Sequence, residues 1–192
     1  SAISKAAHPM ICFSEYNPLT INNEIITYGK YGIGFSKSWA REKKISPVLY
    51  VSENSTAAKG MKELLIARRI RSLDKKLDPK LRLAIMEIKC FIKNEKGYNS
   101  NTHNPEFDFK SENEWRFVPQ KKEIKNYLIS QNQSTYLNNK KKHNQKLEKF
   151  PLKFDLNDLK VVYVSNANER NEIIKLTDIA PEKVKIAIWK TK

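Results

Sequence analysis

Apolar positions fall into short runs whose period changes along the chain, and each period predicts a different element. Met10 to Phe13 is a compact apolar run and predicts a buried strand. Ile33-Gly34-Phe35 predicts a brief second strand, and Pro47 to Val51, β-branched and aromatic, a third. Ile25 to Tyr28 reads as the last turn of a helix that ends at Gly29. Ser36 stands where an N-cap would open a short helix through Lys43. From Ala57 to Leu73 the period lengthens: Met61, Leu64, Leu65, Ile66, Ile70 and Leu73 follow helical spacing, with Ser55 as the cap. Asp74 to Pro79 interrupts the pattern, and a second helix starts at Pro79 and carries Leu81, Leu83, Ile85, Met86, Ile88 and Phe91. Together they predict a helical hairpin over residues 57–93.

Downstream the polar share rises. Glu95 to Lys110 reads as a polar loop and residues 120–149 as a mobile insertion with at most one short helix. Between them, Glu114 to Val118 alternates with period two, which puts Glu114, Arg116 and Val118 on one face and Trp115 and Phe117 on the other. Leu152 to Leu156 is a strand or the approach to one. Lys160 to Val164 predicts a strand, Asn168 to Leu176 a helix, and Lys183 to Trp189 the closing strand. This order predicts an α+β fold: a mixed, mainly antiparallel sheet with a packed helical hairpin. At 192 residues the chain fits one domain, 1–192, with a real core. Its start at Ser1 rather than Met is expected of a piece of something longer, with an N-terminal part of the fold missing.

Charge changes the picture. Lys and Arg number 36 against 21 Asp and Glu, a formal net charge of +15, which favours a polyanionic partner: nucleic acid first, an anionic membrane surface second. The alternative is a compositional bias that leaves every surface basic. The densest local patch surrounds the hairpin turn, with Arg68, Arg69, Arg71, Lys75 and Lys76 as candidate nucleic-acid contacts and Lys80 and Arg82 beside them; a solvated helix face explains the same cluster. Cys12 and Cys90 lie in apolar runs without paired spacing and read as small buried hydrophobes in a reducing compartment. The three histidines share no ligand spacing with them, so no metal site is expected. No apolar run approaches the roughly 18 residues of a membrane span, and a cytoplasmic protein is expected.

Two stretches offer chemistry. Tyr28 to Ala40 holds four aromatic residues and three of the five glycines in thirteen positions, where backbone must turn sharply or pass close to a neighbour. Glu112 to Pro119 carries Glu114 and Arg116. The expectation is that these stretches meet to form the working site. A carboxylate backed by apolar groups can bind a ribose hydroxyl or stabilise a developing cation. An ion pair that ties the sheet to the helical hairpin explains the same pair of residues, and Glu112 is expected to be exposed. Phe13, Tyr28, Tyr31, Phe35, Trp39 and Tyr50 can sandwich a flat ring or build a core. Ser14 and Ser36, just past short strands, offer hydroxyls to a phosphate.

The runs Pro9 to Glu15, Tyr28 to Ala40, Ile45 to Val51 and Asn113 to Pro119, in that order, resemble the AbiGi family of abortive-infection, phage-resistance proteins. The resemblance implies an antitoxin of bacterial phage defence, with a cognate toxin or antitoxin protein as partner, the toxin being nucleotidyltransferase-like. More distantly, the layout is similar to DarT-like ADP-ribosyltransferases, which modify nucleic acid using NAD. That similarity implies an ADP-ribosyltransferase-like fold, NAD as cofactor, Glu114 as the catalytic glutamate with Arg116 beside it, and Phe13, Ser14, Tyr31, Phe35, Ser36 and Tyr50 around the cofactor. The upstream His-containing segment of such enzymes has no counterpart here, since His8 precedes Pro9 outside that context.

Overall fold

The computed structural model describes residues 6–100, 102–125 and 130–191. In chain order the strands are β1 (Ala6–Ala7), β2 (Ile11–Ser14), β3 (Ile25–Ile26), β4 (Gly32–Phe35), β5 (Ser46–Pro47), β6 (Leu49–Val51), β7 (Ile92–Asn94), β8 (Lys96–Asn99), β9 (Asn104–Asp108), β10 (Glu114–Phe117), β11 (Gln131–Asn132), β12 (Leu159–Val164), β13 (Val184–Ile186) and β14 (Lys190–Thr191). The α-helices are α1 (Lys37–Glu42), α2 (Thr56–Ala67), α3 (Pro79–Cys90), α4 (Gln133–Asn138), α5 (Lys140–Leu147) and α6 (Ala167–Leu176). The class is α+β, with several small sheets, antiparallel pairs and parallel pairs among them. None of the described helices is long and apolar enough to cross a membrane.

The described residues group into two compact units, and the chain passes between them repeatedly. One draws on residues 6–14, 46–97 and 108–151, the other on 15–45, 98–107 and 152–191.

In the first unit β10 lies between β2 and β5, antiparallel to both. The register sets Glu114 opposite Ser14, Trp115 opposite Phe13 and Arg116 opposite Cys12. The predicted single strand over 47–51 is split. Ser46 and Pro47 pair with β10, whereas β6 pairs in parallel with β7, Tyr50 opposite Lys93. The hairpin helices start where the caps predict. Ser55 Oγ accepts the Ala58 N–H at 3.2 Å, and Asp78 caps α3 with Pro79 in its first turn. α2 ends at Ala67, earlier than the spacing predicts, and Leu73, counted as a helical apolar position, is 93% exposed.

Three further expectations are corrected. The polar loop over 95–110 contains the paired strands β8 and β9. The insertion over 120–149 carries two helices, α4 and α5, although 126–129 lie outside the described residues. It is also anchored: Ile124 is 1% exposed and packs with Met86, while Leu147 and Phe150 pack around them. Apolar side chains so scattered over a Lys- and Asn-rich stretch show no period, so the packing of Ile124 and Leu147 with Met86 is not legible in the sequence.

In the second unit β12 is flanked by β4, antiparallel, and β13, parallel. Leu159, Val164, Ile179 and Val184 form a core under α6. A second core gathers Ile21, Ile26, Ala187 and Trp189. Ile25–Ile26 is a strand paired with β14, not the end of a helix, because its two isoleucines split between solvent and that core. The expected closing strand over 183–189 breaks after Ile186, since Ala187 and Trp189 turn into this core before β14 begins. No strand covers Leu152 to Leu156; a 3-10 turn, Leu156–Asp158, leads into β12 instead.

Candidate functional site

A buried charge cluster organises the first unit. Glu114 opens β10, and alternation puts its side chain on the same face as Arg116. Arg116 Nε donates to Glu114 Oε1 at 2.7 Å and Nη2 to Oε2 at 3.3 Å, a two-pronged contact. Lys93, from β7, donates to Glu114 Oε2 and Glu112 Oε2, both at 2.6 Å, with its ammonium 4.5 Å from the centre of the Phe109 ring. Glu112 and Glu114 are each 6% exposed.

Local backbone explains the convergence. Phe109–Glu112 is a 3-10 turn, and Asn113 follows at φ 42°, in the left-handed region that Asn tolerates better than most residues. That reversal lets carboxylates two positions apart reach one ammonium. The expectation that Glu112 is exposed is therefore corrected. Sequence reasoning misses Lys93, because the helical pattern of α3 runs on through Phe91 and masks the strand that begins at Ile92.

The cluster is formally neutral, two carboxylates against two cations. Burial pushes the Glu114 carboxyl up, but hydrogen bonds from Arg116, Lys93 and the Cys12 thiol outweigh it and hold the carboxyl down at about 2. The expectation of a buried strand with a buried cysteine is corrected here: Ile11 and Cys12 of β2 are exposed, and only Cys90 is buried. Partial desolvation of the Cys12 thiol and the adjoining carboxylate still push it up to about 11, so it is a poor nucleophile at neutral pH. Lys93 and Arg116 are desolvated too, yet their carboxylate partners raise both above their ordinary values. Tyr50 accepts the Glu114 backbone N–H at 2.8 Å. Arg116 Nη1 donates to the Cys90 carbonyl at 2.5 Å, which ties β10 to the end of α3.

The residues assigned to NAD divide between the units. Phe13, Ser14 and Tyr50 lie in the first, on strands beside Glu114. Tyr31, Phe35 and Ser36 lie in the second. There the Tyr31 hydroxyl donates to Glu169 at 3.0 Å, Phe35 stacks on Trp39 at 3.9 Å and meets the edge of Phe154, and Ser36 caps α1 by accepting the Trp39 N–H at 3.1 Å. The glycines of that stretch serve the fold. Gly29 adopts φ 93°, and a Cβ on Gly34 would lie 2.6 Å from the Val161 side chain across the β4–β12 pair. Each member of the second-unit trio has an internal partner.

The basic candidates lie around the hairpin turn of the first unit. Arg68 is the C-cap of α2, half-buried, with Nε donating to the Arg82 carbonyl at 3.2 Å. Arg69, Arg71, Lys75 and Lys76 are exposed on the segment that leads to α3.

A family model described as "Putative abortive phage resistance protein AbiGi, antitoxin" matches residues 1–165. No curated protein and no solved structure matches the chain.

Proposed function

The chain belongs to the AbiGi family of phage-resistance antitoxins, and from that premise we propose that it acts without catalysis, by binding its cognate toxin or operator DNA through basic surface. One observation carries this reading. The chain's chemically best-placed carboxylate, Glu114, has both oxygens engaged by Arg116 and Lys93 inside a neutral, buried cluster. Such a cluster resembles a fixed structural element more than a group waiting for a ribose. Because it is formally neutral, the net charge of +15 belongs to the remainder of the chain, where cations are mostly exposed.

A second reading is transfer of ADP-ribose from NAD to nucleic acid by an ADP-ribosyltransferase-like fold. It is favoured by the density of strongly perturbed groups around Glu114, since such groups gather at functional sites. It finds no support in Tyr31, Phe35 and Ser36.

Co-expression with its cognate toxin, followed by affinity purification, tests the first reading. Stable co-purification, or salt-sensitive retention of operator DNA, is expected, with no label transferred from radiolabelled NAD to DNA or RNA. Label transfer that disappears in Glu114→Gln would replace the binding reading with the enzymatic one.

A further inference from the structure

A cavity of about 350 Å³ lies in the first unit beside the turn between α2 and α3. Four cations line it: Arg68 from the end of α2, Lys76 from the turn, Arg82 from α3, and Lys121. Pro79, Leu83 and Met86 give it an apolar floor. No carboxylate is among its described lining residues, and none of the four cations forms an ion pair with a described residue. The nearby acids Asp78 and Glu123 turn to backbone N–H groups, of Lys80 and Gln120.

Cations gathered without counter-charge repel one another. Arg68 shows the cost: burial, then the positive fields of Arg82 and Arg69, pull it below its ordinary pKa. Its Nε bond to the Arg82 carbonyl fixes the guanidinium beside the other arginine, so repulsion is held in place rather than relaxed. An anion in the cavity would relieve it. Size and lining narrow the choice. The volume lies at the lower end of the roughly 300–1,000 Å³ usual for small-molecule sites. An apolar floor under a cationic rim suits a molecule with one flat, weakly polar part and one doubly charged part. Guanidinium groups match phosphate oxygens in pairs.

We propose that this cavity is a binding site for a nucleoside phosphate, with the phosphate held by Arg68, Arg82, Lys76 and Lys121 and the base or sugar lying on Pro79 and Leu83. The cavity shares Arg68 and Lys76 with the basic turn of the DNA-binding reading, but binding of AMP is measured separately from retention of toxin or DNA, so either can fail alone.

Calorimetric titration with AMP, a 5′-phosphorylated dinucleotide, adenosine and inorganic phosphate tests it. Lys76 and Lys121 are exposed, so the double variant Lys76→Glu/Lys121→Glu is expected to fold, as checked by circular dichroism and melting temperature. A control, Lys140→Glu/Lys142→Glu, places the same charge change on α5. The expected result is saturable binding of AMP or the dinucleotide, weaker by about tenfold or more for adenosine and for phosphate alone. The pocket variant is expected to lose about tenfold in affinity and the control less than about twofold. Tighter binding of the dinucleotide than of AMP would mark a nucleic-acid chain as the source of the phosphate, and equal binding a free nucleotide. No saturable binding, equal binding of inorganic phosphate, or equal losses in both double variants would overturn the proposal.

Discussion

Glu114 sits where desolvation and partnership oppose each other, and partnership wins. The consequence is a stability that depends on pH in a definite direction. A carboxyl depressed from 4.5 to about 2 on folding stabilises the native state above its unfolded pKa. That contribution fades as pH falls from about 4.5 towards about 2. Glu114→Gln leaves Arg116 and Lys93 desolvated with one carboxylate between them. It is expected to lower stability at pH 7 by about 3–5 kcal/mol, the range for breaking a buried ion pair. Urea denaturation as a function of pH checks this: the wild-type and variant curves are expected to converge as pH approaches about 2. A constant gap across that window would mean that folding does not depress the Glu114 carboxyl. At this scale the sequence was legible where a feature is local. The caps Ser36 and Ser55 and the shared face of Glu114 and Arg116 all follow from neighbouring residues. Lys93 and the burial of Glu112 were not legible, because their partnership spans 19 residues and turns on the left-handed Asn113.

Elements show the same division between local and non-local causes. α3 begins at Pro79, as the sequence predicts, with Asp78 accepting the Lys80 N–H, whereas α6 begins one residue before the expected Asn168, with Asn166 accepting the Glu169 N–H. The short strands depart from expectation because tertiary pairing, not propensity, sets their limits: Pro47 and Leu49 lie two positions apart yet belong to different sheets. The 120–149 segment departs furthest. Its composition reads as solvated chain, while Ile124 is among the most buried side chains described. If that anchor holds the segment, Ile124→Ala is expected to cost about 2–4 kcal/mol through lost burial and the cavity left against Met86. Trypsin cleavage around Lys140–Lys142 is then expected to accelerate in the variant under native conditions. A change within about 0.5 kcal/mol, with cleavage unaltered, would return the segment to a solvated insertion.

For the whole molecule the question is what the excess charge is for. The Glu112–Lys93–Glu114–Arg116 cluster consumes two acids and two bases, so it leaves the +15 untouched. Of the five basic residues singled out at the hairpin turn, four are exposed, and Arg68 is partly withdrawn into the cavity with Arg82. This separates a diffuse role from a local one. If the turn is the footprint on a DNA backbone, each phosphate contact releases counterions, and log K falls with log salt by about 0.9 per contact. The variant Arg69→Ala/Arg71→Ala/Lys75→Ala is then expected to weaken duplex binding about equally for all sequences and to reduce the salt slope by about 2–3. Fluorescence anisotropy over a salt series measures both. An unchanged slope would move the contact elsewhere on the surface, because charge spread evenly over the molecule loses little when three of its 36 cations are removed.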